Sequence, residues 1–238
     1  MLIGMRNAVL SGGWKNPYVI DGLVAMWDGE WNAGPGAHDA NATTWKDLGP
    51  NGYDLTCNGA PSWASDQALI GNYFYSDMAL NVLSAFNNHS ITLELVYGRV
   101  TLWYNNTGPF GVGTDGVVKI QQNRGSNTAC NLTWLGANLP LSMFLGTAPG
   151  ANAKAIYAIS DTEWTAASIR SDGTAFNYRK TASFAQSIQS GSRFFVGWSK
   201  DNAYGGYGIR CFRVYSRALT AAEIAANDAV DKARFGLP

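Results

Sequence analysis

Gly208-Ile209-Arg210-Cys211-Phe212-Arg213-Val214-Tyr215 runs directly into Ser216-Arg217-Ala218-Leu219-Thr220-Ala221-Ala222-Glu223-Ile224-Ala225-Ala226-Asn227. Six of the first eight residues are β-branched, aromatic or long, and they predict a strand over 208–215. Thr220 and Glu223 then spell a capping box, in which the Thr hydroxyl accepts from the Glu amide and the Glu carboxylate accepts from the Thr amide. An Ala-rich run follows, with Lys232 and Arg234 where cations complement the helix dipole. Gly236 and Pro238 end it. The spacing predicts a helix over 221–233.

Outward from this segment the pattern is short apolar runs separated by Gly, Asn, Asp and Pro. Strands are expected over 22–27, 53–57, 90–98, 116–121, 128–135, 153–160, 166–171, 174–179 and 193–199 as well as 208–215. That rhythm belongs to an all-β sandwich or barrel. Alternation is clearest at 90–98: Ile91, Leu93, Leu95 and Tyr97 share one face, and Thr92, Glu94 and Val96 the other. This reads as a half-buried strand. Asp172-Gly173 between two such runs is a hairpin signal, because Gly supplies the positive φ of a primed turn.

Composition excludes several classes. The chain has 238 residues, 46% hydrophobic and 14% charged, with 17 basic against 17 acidic side chains. A disordered chain would be less apolar and more charged. With no charge excess to neutralise phosphates, no nucleic-acid partner is expected. No apolar run reaches the roughly 18 residues of a membrane span, so no membrane partner is expected. The first residues lack a clean signal-peptide core. Cys57, Cys130 and Cys211 lack zinc-ligand spacing; the readings are buried thiols, or one disulfide and a spare thiol.

Several segments resemble laminin-G-like, concanavalin A-like jelly rolls of the lectin–glucanase superfamily. Gly22-Leu23-Val24-Ala25-Met26-Trp27-Asp28 is similar to their opening strand. Trp45-Lys46-Asp47-Leu48-Gly49-Pro50-Asn51-Gly52-Tyr53 is similar to their W-x-D-L-S-G-N-G loop, and Ser90–Leu95 to their central strand. The stretch from Gly208 to Asn227 is similar to their R-x-Y-x-R-x-L-T-x-x-E-I-x-x-N close. The resemblance implies a two-sheet antiparallel jelly-roll sandwich with a short C-terminal helix. It implies an N-terminal arm over 1–20 and one domain over 21–238. In this pattern Trp27, Trp45, Trp198, Phe212 and Tyr215 pack the core, and Arg213 and Arg217 tie the last strand to its neighbours. A compact chain with a leading arm also resembles small prophage-encoded proteins.

Few residues are suited to chemistry. Glycoside hydrolysis uses two carboxyl groups. Only four Glu occur, at positions 30, 94, 163 and 223, and the strand resembling the glucanase catalytic run carries Glu94 alone. His38 and His89 have no nucleophile motif around them. Calcium is the ion whose hard oxygen ligands are present, at Asp28, Asp39, Asp47, Asn51, Asp54, Asp201 and Asn202; Asp47 and Asn51 are equally suited to side-chain-to-backbone turns. Aromatics in loops and at strand ends are the remaining resource, since sugar rings stack on them while polar neighbours bond the hydroxyls. The candidates are Trp31, Trp103, Tyr104, Asn106, Trp164, Tyr204 and Tyr207.

The expectation is a non-enzymatic lectin-like binding or assembly module: a phage virion structural or surface protein, homo-oligomeric through its arm, meeting other virion subunits and a glycan or host-surface ligand. It would be made in the host cytoplasm and located in the virion. The alternatives are a stand-alone bacterial carbohydrate-binding protein, in the cytoplasm or at the cell surface, and a glucanase-like hydrolase.

Overall fold

Residues 91–98, expected to be half-buried, are buried on both faces, because the sheet they belong to is covered on both sides. The computed structural model describes residues 15–59, 62–70, 74–76, 90–102, 110–112, 118–122, 129–134, 137–142, 153–160, 163–169, 175–181, 193–197 and 206–238. Its strands form two antiparallel sheets of eight, and a helix lies at the C-terminal end.

The first sheet contains β1 (Leu23–Asp28), β4 (Ser62–Ala64), β5 (Gln67–Ile70), β7 (Ile91–Leu102), β12 (Ala153–Ser160), β13 (Glu163–Ile169), β14 (Ala175–Thr181) and β16 (Gly206–Tyr215). Their order is β14-β13-β12-β7-β16-β5-β4. One edge of β16 pairs with β7; its other edge pairs with β5 through 207–209 and with β1 through 211–215. The second sheet holds β2 (Thr44–Trp45), β3 (Leu55–Cys57), β6 (Phe74–Ser76), β8 (Phe110–Val112), β9 (Val118–Gln122), β10 (Ala129–Trp134), β11 (Ala137–Ser142) and β15 (Phe194–Val196), in the order β11-β10-β9-β8-β15-β6-β3-β2. β13 pairs with β14 directly across the Asp172-Gly173 signal.

The sheets meet through aromatic rings. Trp27 from the first stacks on Phe194 from the second with centroids 5.2 Å apart, and Phe212 lies 5.7 Å from both Phe110 and Phe194. All four are fully buried. A buried ring of this size contributes roughly 1.5–3 kcal/mol by area alone. Trp45 and Tyr215 are also fully buried, as the sequence pattern implied. Trp198 lies outside the described residues.

The other face of the first sheet carries the helix α1 (Ala221–Phe235), two residues longer than the spacing predicts. Its capping box is formed: the Glu223 N–H donates to Thr220 Oγ1 at 3.3 Å, and the Thr220 N–H to Glu223 Oε2 at 2.8 Å. Gly236 adopts φ 62° and its N–H closes on the Lys232 carbonyl at 3.0 Å. A left-handed residue here favours Gly and ends the helix. Tyr18, Leu219, Phe235 and Leu237 pack with Met26, Val96, Cys211 and Tyr215 between helix and sheet. Asn16 and Tyr18, in the expected arm, are thus buried in this core.

The loop before β3 is fixed by one carboxylate. Asp47 Oδ1 accepts from the N–H of Met26 at 2.8 Å and of Gly49 at 2.7 Å, and Oδ2 accepts from Tyr53 N–H at 2.7 Å. Asn51 Nδ2 donates to the Val24 carbonyl at 2.7 Å. Asp47 thus forms the expected side-chain-to-backbone turn through Gly49, whereas Asn51 reaches across to β1 instead of closing a turn. Cys57 and Cys211 are free thiols; burial pushes the Cys57 thiol up to about 11.

Candidate functional site

Beneath α1 lies a layer of buried charge. Arg213 follows the alternation of β16 onto the helix-facing side, in register with Glu94 and Met26. Its Nε donates to Glu94 Oε2 at 2.8 Å, and its two terminal nitrogens to Asp231 at 2.8 and 2.5 Å. Lys154 from β12 places Nζ 2.7 Å from Asp231 and 3.6 Å from Glu94. Asn227 donates to Glu94 at 2.7 Å and to the Tyr215 hydroxyl at 3.0 Å. Glu94, Arg213, Asp231 and Lys154 are all within 1% of complete burial. Two cations and two carboxylates are buried together, and the partly exposed Asp228 adds a third carboxylate 3.5 Å from Lys154. Burial by itself would raise the Asp231 carboxyl, but Arg213 and Lys154 together hold it below the usual carboxylate range. Arg217 bridges to Glu223 at 2.6 Å and Asp21 at 2.9 Å. Both arginines therefore tie the last strand to neighbouring segments.

The layer continues to the surface. The Tyr18 ring lies 3.9 Å from the Arg213 guanidinium, and its hydroxyl accepts from Arg234 at 2.9 Å. Arg234 also donates to buried Asp28 and to Glu30, each at 2.7 Å, and lies 4.0 Å from the centre of the Trp31 ring. Desolvation raises the Asp28 carboxyl despite its Arg234 partner. At this point a groove of about 660 Å³ opens between α1, the β1–β2 connection and the segment entering β1. Lys15, Pro17, Glu30, Trp31, Ala229 and Arg234 are among its lining residues.

A second surface comes from the register of the second sheet. Thr44 pairs with Thr56, Thr56 with Tyr75, Tyr75 with Phe195, and Phe195 with Gly111. The row continues through positions Lys119, Thr133 and Asn138. Flanking positions on the same strands, Trp45, Leu55, Phe194 and Val196, are fully buried. Thr56 is exposed, and Thr44, Tyr75 and Phe195 are half-buried. By period-two alternation the row is therefore the face opposite the one packed on the first sheet, although Gly111 within it is buried. The exposed Arg193 holds its guanidinium 4.8 Å from the Tyr75 ring centre. Two cross-strand aromatics with a cation and two threonines thus share one sheet face.

Of the aromatic candidates, the structure places Trp31 in the groove. Trp164 sits on β13 in register with Ile159 and Lys180, and Tyr207 on β16 in register with Ile70 and Val100. Trp103, Tyr104, Asn106 and Tyr204 lie outside the described residues. Glu94 is sealed beneath α1, so the carboxylate singled out for hydrolysis serves the ion layer. The oxygens of Asp28, Asp47 and Asp54 accept from protein donors, as does Asp39 Oδ1 from Asn41 N–H. Among the described residues no group of three His, Cys, Asp or Glu is placed to hold a metal ion. The Tyr75–Phe195 pair escaped the sequence reading. Its signal was Phe194-Phe195: neighbours in a strand point oppositely, so both rings cannot enter one core.

Compared by sequence, the chain matches no family model and no curated protein. Its fold is shared with solved structures. Trypanosoma rangeli sialidase in complex with sialic acid aligns over 96% of this chain and 36% of its own, at 15% identity and TM-score 0.59. Domain 4 of a GH43 extracellular arabinanase from Geobacillus stearothermophilus, in complex with arabinotriose, aligns over 85% of this chain and 96% of its own, at 16% identity and TM-score 0.57. A GH54 α-L-arabinofuranosidase aligns over 83% and 52%, at 10% identity and TM-score 0.60. The chain thus spans about a third of the sialidase. Identities this low establish the β-sandwich fold. These neighbours overturn the expectation of a non-enzymatic virion protein, because they are glycoside hydrolases and a domain of one. The exclusion of an enzyme falls with it, and the virion subunit contacts find no support in these neighbours. The physical reason is that a jelly-roll pattern specifies a scaffold and leaves its activity open.

Proposed function

We propose that this chain is a carbohydrate-binding β-sandwich of the laminin-G-like, concanavalin A-like kind, taking its ligand on the outward face of the second sheet. The observation that carries the reading is the Tyr75–Phe195 cross-strand pair, with Arg193 against Tyr75 and Thr56 beside it. Apolar faces of sugar rings stack on such rings, while hydroxyl and guanidinium groups bond the sugar hydroxyls. The arabinanase domain supports the reading: it matches this chain over nearly its whole length and its structure holds arabinotriose.

A glycan array tests the proposal, followed by titration calorimetry on the best hits with the parent chain, Tyr75→Ala and Phe195→Ala. Selective binding weakened at least about tenfold by each substitution, or roughly 1.4 kcal/mol, supports the site. Undiminished affinity in both variants refutes it. Reducing-end release is followed on the same glycans, because the neighbours include hydrolases. Glu30 is the carboxylate among the groove's described lining residues, whereas hydrolysis draws on two.

A further inference from the structure

The helix-side groove has chemistry of its own. We infer that it is a second saccharide site, selective for neutral sugars over anionic ones; the inference rests on the carbohydrate reading above. Three chain segments build it: Lys15 and Pro17, Glu30 and Trp31, and, far along the chain, the helix residues around Ala229 and Arg234. Glu30 is 46% exposed, yet Arg234 holds its carboxylate at 2.7 Å. The same guanidinium is anchored on buried Asp28 and on the Tyr18 hydroxyl. The Glu30 N–H also donates to Asp28 Oδ1 at 3.0 Å. Glu30 is therefore an acceptor oriented before any ligand arrives. A carboxylate has about four lone-pair sites, so capacity for ligand hydroxyls remains after one bond to arginine. Arg234 lies against the Trp31 indole at 4.0 Å, keeping a large apolar surface in place at the groove wall. A fixed carboxylate acceptor beside a fixed aromatic is the donor–acceptor pattern a polyol ring satisfies.

Charge gives the selectivity. The charged groups among the groove's described lining residues are Lys15, Glu30 and Arg234, and Arg234 is already committed to Glu30 and to Asp28 buried beneath it. A neutral sugar donates hydroxyls to Glu30 without disturbing that pairing. A sugar acid brings another carboxylate to Glu30, and like charges close together oppose binding.

The test is titration calorimetry of the full chain with arabinotriose, xylotriose and cellotriose as neutral probes, and sialic acid as the anionic one. The expected result is two molecules of the best neutral probe per chain. Glu30→Gln should weaken one of the two sites at least fivefold. Ala229→Tyr, at an exposed helix position, should fill the groove and abolish the same site without touching the ion layer. Tyr75→Ala should leave the groove site intact and remove the other, so the two readings fail separately. No binding of any neutral probe, or a single site per chain that Tyr75→Ala removes and both groove variants leave unchanged, overturns the inference; a single site that the groove variants remove and Tyr75→Ala leaves intact overturns the second-sheet reading instead. Two sites that both groove variants leave unchanged also overturn the inference, as does sialic acid binding the groove as tightly as a neutral probe.

Discussion

Asp231→Asn perturbs the layer that holds α1 on the sheet. The substitution keeps the shape of the side chain and removes one of two negative charges from a group of four that is almost wholly desolvated. Arg213 and Lys154 then share buried Glu94, with the partly exposed Asp228, 3.5 Å from Lys154, as the remaining carboxylate, so the buried positive charge is only partly compensated. Breaking a buried pair from one side costs about 3–5 kcal/mol. For a chain of this size that corresponds to a fall in Tm of roughly 6–20 °C. Arg217→Ala is the comparison, because its guanidinium is 27% exposed; an exposed pair contributes about 0–1 kcal/mol. Denaturant unfolding measures both. A second arm uses Asp231→Leu combined with Arg213→Met, which leaves Glu94 and Lys154 to balance each other. The double variant should be more stable than the sum of its single variants predicts, since the residues share one network. The sign with pH follows from the lowered Asp231 carboxyl. Its contribution is complete above the unfolded-state value near ~4 and is lost as pH falls through the lower folded value. A loss below about 1 kcal/mol in Asp231→Asn, or strict additivity in the double variant, would refute the reasoning.

Three further outcomes are expected. Glu223→Gln removes the Arg217 bridge, and that bridge with the Thr220 contacts holds the Glu223 carboxyl down at about 2 against an ordinary 4.5. The stability gap between parent and variant should therefore be constant above about pH 4.5 and close as pH falls toward 2, read by thermal melts across pH; a gap independent of pH contradicts this. Asp47→Ala strips the acceptor from three backbone N–H groups and should cost about 3 kcal/mol or more by urea unfolding, at roughly 1–3 kcal/mol per buried group left unpaired. Gly29→Ala should destabilise more than Gly98→Ala. The new Cβ at 29 meets the Gln67 backbone, whereas at 98 it meets the movable end of the Gln67 side chain. Equal melting temperatures would contradict that ordering.

The capped helix, the alternation at 91–97 and the β13–β14 hairpin were legible because their signals are local. Strands β2, β6 and β8 were not, since two or three residues cannot display a period. Nor could Glu94 be read correctly. Its position on the polar side of an alternating strand is the same whether it faces solvent or Arg213. Asp231 decides between them, and it lies far along the chain. The Tyr75–Phe195 pair is similar: each residue looks unremarkable alone, and the pairing of β6 with β15 brings them together. Trp31 was legible as an aromatic in a turn, but its arginine partner came from the last turn of the helix. Function was least legible, since the same scaffold supports binding proteins, hydrolases and virion subunits.

Chemical-shift mapping of the labelled chain, titrated with the strongest array glycan, addresses the central claim most directly. The account predicts that Thr56, Tyr75, Phe195 and Arg193 shift together and saturate with one affinity. A map that leaves that row unmoved, or no shift with any glycan on a folded sample, would contradict carbohydrate binding on the second sheet.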